Sequence, residues 1–254
     1  MRQVSSIKTR SDDKTGSKML NNKVVLITGA TGGLGKVVTK KFLAEGAVVA
    51  AVYRSEDKLK ELIEYVGEGK VNGFKADVTD PASVSALIAE VTKKLGRVDV
   101  LLNIVGGYAG GIPLQQSEEA MLDEMVILNT RSAWLCSRAV LPGMIERNWG
   151  RIVNVAAKNA TPGGRRAGNI AYAISKGGII TLTEALAEEL SKVEVNVNCV
   201  TLATIDTSKN QEKMPKADTS KWVKPDDIAE VMLFLSSDSS RAVTGAAIPV
   251  FGRS

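Results

Sequence analysis

The chain has 254 residues, 24% of them charged, a formal net charge of +5 and no histidine. That length suits one α/β domain with a sizeable core, and the lack of histidine excludes Ser-His-Asp hydrolysis and His-based metal sites. Two cysteines without a Cys-x-x-Cys spacing read as single buried thiols in a reducing compartment, the cytoplasm, and no stretch approaches the ~18 uninterrupted apolar residues of a membrane span.

The basic balance is concentrated at the start, where Arg2, Lys8, Arg10, Lys14, Lys18 and Lys23 face only Asp12 and Asp13. Residues 1–22 are polar, lack an apolar period and read as a flexible tail before a single domain, 23–254. The acidic pair argues against a targeting segment. The remainder lacks the basic stripe with interleaved aromatics that nucleic-acid binding requires.

Val24-Val25-Leu26-Ile27 is a continuous apolar run, as expected for a strand buried on both faces. It leads into Thr28-Gly29-Ala30-Thr31-Gly32-Gly33-Leu34-Gly35 and a helical pattern through Glu45. Strand, glycine turn and helix aim free backbone N–H groups at a phosphate, with a plain glycine-rich turn as the alternative. A second strand, Ala47-Val48-Val49-Ala50-Ala51-Val52, ends in Tyr53-Arg54-Ser55, and Ser55-Glu56-Asp57 begins a helix with a cap and two acids. Asp80-Pro81 and Pro225-Asp226-Asp227 mark two more helix starts. Apolar runs alternate with helical patterns throughout, so the expected fold is α/β: a Rossmann-type doubly wound parallel sheet with helices on both faces.

Tyr172 and Lys176 lie four apart on an apolar helical segment, which stacks them on one face. A free phenol has a pKa of roughly 10 and is a poor acid–base group at neutral pH. An ammonium nearby favours the phenolate and brings that pKa toward the working range.

The spacing Thr-Gly-x-x-x-Gly-x-Gly with Tyr-x-x-x-Lys downstream resembles the short-chain dehydrogenase/reductase family, over residues 23–252. Asp77-Val78-Thr79, Asp99-Val100-Leu101-Leu102-Asn103-Ile104-Val105-Gly106, Asn129 and Gly150-Arg151-Ile152-Val153-Asn154-Val155 follow in family order. The resemblance implies an oxidoreductase that transfers hydride from a nicotinamide cofactor to a small molecule with a carbonyl, imine or pterin-like group. Tyr172 would give the proton. Lys176 would tune Tyr172 and hold the ribose. Asn129 would hold a water that connects Lys176 to solvent. Gly29, Thr31, Gly33, Leu34 and Gly35 would form the pyrophosphate turn. Asp77 and Val78 would contact adenine, Asn103 and Gly106 would line its strand, and Thr207 would reach the carboxamide. The family's acidic residue after the second strand falls on Tyr53, followed by Arg54, whose planar fork of donors suits a 2′-phosphate. NADP(H) is therefore favoured, with NAD(H) as the alternative. A homotetramer or homodimer is implied, built on the long helix over about 117–147, the Tyr172 helix and the strand at 246–250.

One family element is missing. The serine that normally helps stabilise charge on the reacting oxygen falls on Ala157. Asn159 and Thr161 are the nearest candidate replacements. Dihydropteridine reductases, distant relatives, manage with Tyr and Lys alone. Three readings stand: a substrate whose electrons are already delocalised, a donor supplied by Asn159 or Thr161, or a cofactor-binding regulatory or structural protein with little turnover. Ile104 and Leu202-Ala203 also depart from the family pattern. The polar stretch 203–222 reads as a loop-like substrate lid.

Overall fold

The strong apolar runs become strands with both faces covered. In the computed structural model, which describes residues 18–253, the strands are β1 (Val24–Thr28), β2 (Val48–Tyr53), β3 (Val71–Lys75), β4 (Val100–Asn103), β5 (Gly150–Ala157), β6 (Val195–Leu202) and β7 (Ala247–Val250). They form a seven-stranded sheet in the order β3-β2-β1-β4-β5-β6-β7, and every pairing is parallel. The helices are α1 (Gly33–Ala44), α2 (Glu56–Val66), α3 (Pro81–Leu95), α4 (Glu119–Met125), α5 (Ser132–Glu146), α6 (Ile170–Glu189), α7 (Ser208–Lys213) and α8 (Pro225–Ser236).

Alternate strand residues enter two cores. Val25, Ile27, Val100 and Leu102 pack with Val38 and Phe42 of α1, Leu62 of α2 and Ile228 and Met232 of α8. Leu26, Leu101 and Ile152 point the other way, onto Leu87 of α3, Cys136 and Val140 of α5 and Ala187 of α6. Side chains such as Phe42 and Ile152, fully buried, each contribute about 1.5–3 kcal/mol through area removed from water. The register sets Thr28 beside Asn103, Asn103 beside Asn154 and Asn154 beside Cys199. The loops after these strands therefore gather along one edge of the sheet, around the β1/β4 switch point where such folds bind ligands.

Several boundaries differ from the sequence expectation. The flexible tail expected over 1–22 lies outside the described residues up to position 17. Its end at 22 is too late, because Leu20 is buried in the α1 core and its N–H donates to Glu45 O. Asp80 caps α3 as expected, accepting from Ser83 N–H at 2.7 Å. Ser55 begins α2 without a side-chain cap bond; Glu56 and Asp57 provide its acidic first turn. The long helix runs as α4, a π-helical segment Val126–Arg131 and α5. The supposed loop at 203–222 contains α7, capped by Thr207, and is anchored by a bridge between Ile205 and Val223. The two cysteines are free and buried.

Candidate active site and cofactor groove

At the end of β1 the chain turns through Gly29, φ +69°, and Gly32 N–H donates to Gly29 O at 3.0 Å. A methyl group at Gly35 would lie 2.0 Å from Gly29 O, so helix and turn meet only through glycine. Gly32 caps α1 with no side chain, leaving its first N–H groups open to an anion. Thr207, from the start of α7, presses its methyl where a side chain on Gly33 would go, 3.0 Å away. Two far-separated pieces of sequence thereby line one groove. Thr31 is half-buried beside it, whereas Leu34 is buried in the core and offers the groove only backbone. Thr28, to which no role was given from sequence, stitches the switch point: its hydroxyl donates to Leu102 O and accepts from Ile104 and Val105 N–H.

Arg54 is exposed just past β2, near enough to Asp77 to help hold its carboxyl below the usual range. The larger causes there are the Thr79 hydroxyl and N–H, which donate to Asp77 Oδ1 at 2.7 and 2.9 Å. Tyr53, at the family's acidic position, donates to Glu56 at 3.2 Å, and Glu56 also faces Lys75. Val78 is buried at the base of this end. Asn103, at the end of β4, donates its amide to Asn154 Oδ1 at 2.8 Å and Ser137 Oγ at 3.2 Å, so its side chain braces β4, β5 and α5.

Asn129 sits in the π-helical segment, a local geometry often found at functional sites. Its Oδ1 accepts from Gly107 N–H at 2.9 Å, and its amide donates to Gly107 O and to Ser175 Oγ at 3.0 Å. Ser175 in turn donates to Tyr172 O. Lys176 is buried and donates to Val155 O at 2.7 Å. A methyl at Gly106 would come within 2.7 Å of Asn129 Oδ1 and 3.0 Å of Lys176 Nζ. Lys176 and the proposed relay residue Asn129 thus approach over a glycine that makes room for them, while the Tyr172 ring lies against Tyr108.

The electrostatics differ from expectation. Burial lowers the Lys176 ammonium to about 8. Burial first and the neighbouring Tyr108 second push the Tyr172 phenol up to about 12. In this arrangement the Lys176 ammonium is directed at the Val155 carbonyl.

Ala157 is the buried last residue of β5. Neither candidate replacement for the missing serine bonds to Tyr172. Asn159 donates to Arg165 O at 2.5 Å and Thr161 to Lys158 O at 2.8 Å. Arg166 grips the same loop through the carbonyls of Asn159, Ala160 and Thr161. Tyr108, unmarked in the sequence reading, forms a T-shaped pair with Tyr172, centroids 5.1 Å apart, and donates to Asn169 Oδ1.

A family model described as short chain dehydrogenase matches residues 23–218. The chain belongs to this family. It is 35% identical over 92% of its length to the (2S)-[(R)-hydroxy(phenyl)methyl]succinyl-CoA dehydrogenase subunit BbsD of Thauera aromatica, covering 96% of that protein. It is 34% identical to the 3-oxoacyl-[acyl-carrier-protein] reductase FabG of Thermotoga maritima, covering 92% of this chain and 98% of that one. Among solved structures, a Burkholderia xenovorans protein assigned to the short-chain dehydrogenases/reductases superposes with a TM-score of 0.85, at 34% identity, over 92% of this chain and 97% of its own. Like them, this short-chain dehydrogenase is an oxidoreductase on a Rossmann-like sheet. Among the described residues, no helix is long and apolar enough to cross a membrane, and no cluster of His, Cys, Asp and Glu could hold a metal.

Proposed function

We propose that this short-chain dehydrogenase is an NADP(H)-dependent reductase of a carbonyl or carbonyl-like group, with Tyr172 as its acid. The observation that carries this reading is that Lys176 and Asn129 close over Gly106, with Tyr172 one helical turn before Lys176 on α6, at the sheet end that also bears the glycine turn. The groove fits a dinucleotide: Gly35 makes a turn no side chain would permit, and α1 presents uncapped N–H groups. The open N–H groups of α1 would hold the pyrophosphate and Arg54 the 2′-phosphate. When bound, the nicotinamide supplies the hydride.

The rest is the work of the chain. Tyr172, neutral at pH 7 with its pKa near 12, gives its proton to the oxygen or nitrogen that gains electrons. The Lys176 ammonium stabilises the phenolate left behind, a role it fills only while charged. Asn129 and Ser175 tie the helix turn bearing Tyr172 to the β4 loop, holding the acid in place. Reduction of oxoacyl groups, as named for the Thermotoga relative, lies within this chemistry.

One observation favours a second reading. With Ala157 in β5 and Asn159 and Thr161 bonded within their own loop, the site lacks a second donor, which suits a cofactor-binding protein with little turnover. Oxidation of NADPH and NADH is to be measured against small ketones, 3-oxoacyl thioesters, quinones and quinonoid dihydropterin, with Tyr172→Phe alongside. Turnover lost in the variant supports the reductase; tight NADPH binding without turnover on any acceptor supports the second reading.

We also propose a homodimer or homotetramer in the cytoplasm. Ile127, Trp134 and Ile174 are exposed on the long helix and α6, and β7 leaves one sheet edge open.

A further inference from the structure

We propose that Tyr108 selects the acceptor of this reductase, favouring a flat conjugated carbonyl or imine that stacks on its ring over a branched aliphatic ketone. The inference rests on the reductase reading and names its substrate class. Two independent observations carry it.

The first is the setting of the ring. Tyr108 is 60% exposed, yet it is held at two points. Its ring meets the Tyr172 ring in a T-shaped contact at an interplanar angle of 77°, and its hydroxyl donates to Asn169 Oδ1 at 2.7 Å, at the N-cap of α6. Gly110 makes room for this bond, because a methyl there would lie 2.3 Å from Asn169 Oδ1 and 2.8 Å from the Tyr108 hydroxyl. Gly111 and Ile112 N–H groups both donate to Gly168 O, clamping the loop after β4 onto the loop before α6. An aromatic ring is thus held and largely exposed beside the proton donor. Such a ring prefers an offset-stacked flat partner.

The second is the chemistry of the oxygen site. With Ala157 in place of a hydroxyl, and the Asn159 and Thr161 side chains bonded within their own loop, neither the β5 end nor these two residues offers Tyr172 a second donor for negative charge arriving on the acceptor. An acceptor that spreads that charge through its own conjugated system needs less help. Both observations point to the same class. The step balances simply: the acceptor gains hydride from the cofactor at carbon and a proton from Tyr172 at oxygen or nitrogen, and the cofactor is oxidised.

The test uses the full chain with NADPH. The kcat/KM values for 9,10-phenanthrenequinone and for a branched aliphatic ketone, 3-methylbutan-2-one, are measured for the wild type, Tyr108→Phe and Tyr108→Leu, with NADPH binding by fluorescence as the check on folding. The quinone-to-ketone ratio is expected to fall about tenfold in Tyr108→Leu through quinone KM, and to stay within about twofold in Tyr108→Phe, which keeps the ring. A ratio unchanged in Tyr108→Leu, or a wild type that prefers the ketone, overturns the inference while leaving the reductase reading in place. A wild type that oxidises NADPH with no acceptor fails that reading itself, and the inference with it.

Discussion

Lys176 holds its ammonium 3.0 Å from the point a methyl group on Gly106 would occupy. The lysine comes from α6 and the glycine from the loop after β4, and the sheet register brings them together. Gly106→Ala must displace Lys176 Nζ and Asn129 Oδ1, both ends of side chains, so the fold should survive while the site is disturbed. Turnover is expected to fall about 100-fold, on the scale of a lost transition-state donor, with a Tm shift of only a few degrees. Wild-type turnover in Gly106→Ala would show that Lys176 does not act from this position.

The buried Lys176 ammonium makes two pH statements. Its pKa is lowered from 10.5 to about 8, so reductive turnover that depends on its charge should decline as pH rises through about 8. Stability moves the other way. Between about 8 and 10.5 the unfolded chain holds more protons on this lysine than the folded one, so its contribution to stability rises with pH across that window. Tyr172, raised from 10.0 to about 12, has the opposite sign and loses stability across its own higher window. Urea unfolding of the wild type and Lys176→Met between pH 7.5 and 10 checks the lysine. The rise should be flatter in the variant, and identical slopes would contradict the assignment.

Arg54 is predicted to discriminate between the cofactors. Arg54→Ala should raise the KM for NADPH about tenfold, the scale of one charge-assisted contact to a phosphate, and leave that for NADH nearly unchanged. Equal effects on both would remove Arg54 from the 2′-phosphate site.

Ala157→Ser restores a hydroxyl at the end of β5. Because one oxygen donor is typically worth on the order of 100-fold in rate, kcat for simple ketones should rise by at least about tenfold, with less gain for quinones. No gain for either class would mean that the β5 end does not face the reacting oxygen.

The glycine turn, the Tyr172–Lys176 pair and the parallel sheet were legible because each is local. A strand–turn–helix, a four-residue helical spacing and a buried apolar run are specified by neighbours in the chain. The bracing contacts of Asn103 depend on Asn154, Ser137 and the strand register, none of which its own neighbourhood reveals. Tyr108 went unnoticed for the same reason: its partners, Tyr172 and Asn169, lie more than 60 residues away. Leu20 reads as part of a tail because the few apolar residues of that polar stretch carry no period, although the fold buries it.

By itself, then, the sequence determined the class of fold, the family and the set of residues available for chemistry. The tertiary structure decided which way they act. Burial raises the Tyr172 phenol, since removal from water disfavours its anion, while the Lys176 ammonium donates to a backbone carbonyl. Asn159 and Thr161 likewise spend their side-chain donors on the carbonyls of Arg165 and Lys158 in their own loop. Local patterns encode elements; desolvation and hydrogen-bond satisfaction, which depend on everything that surrounds a group, set its chemistry.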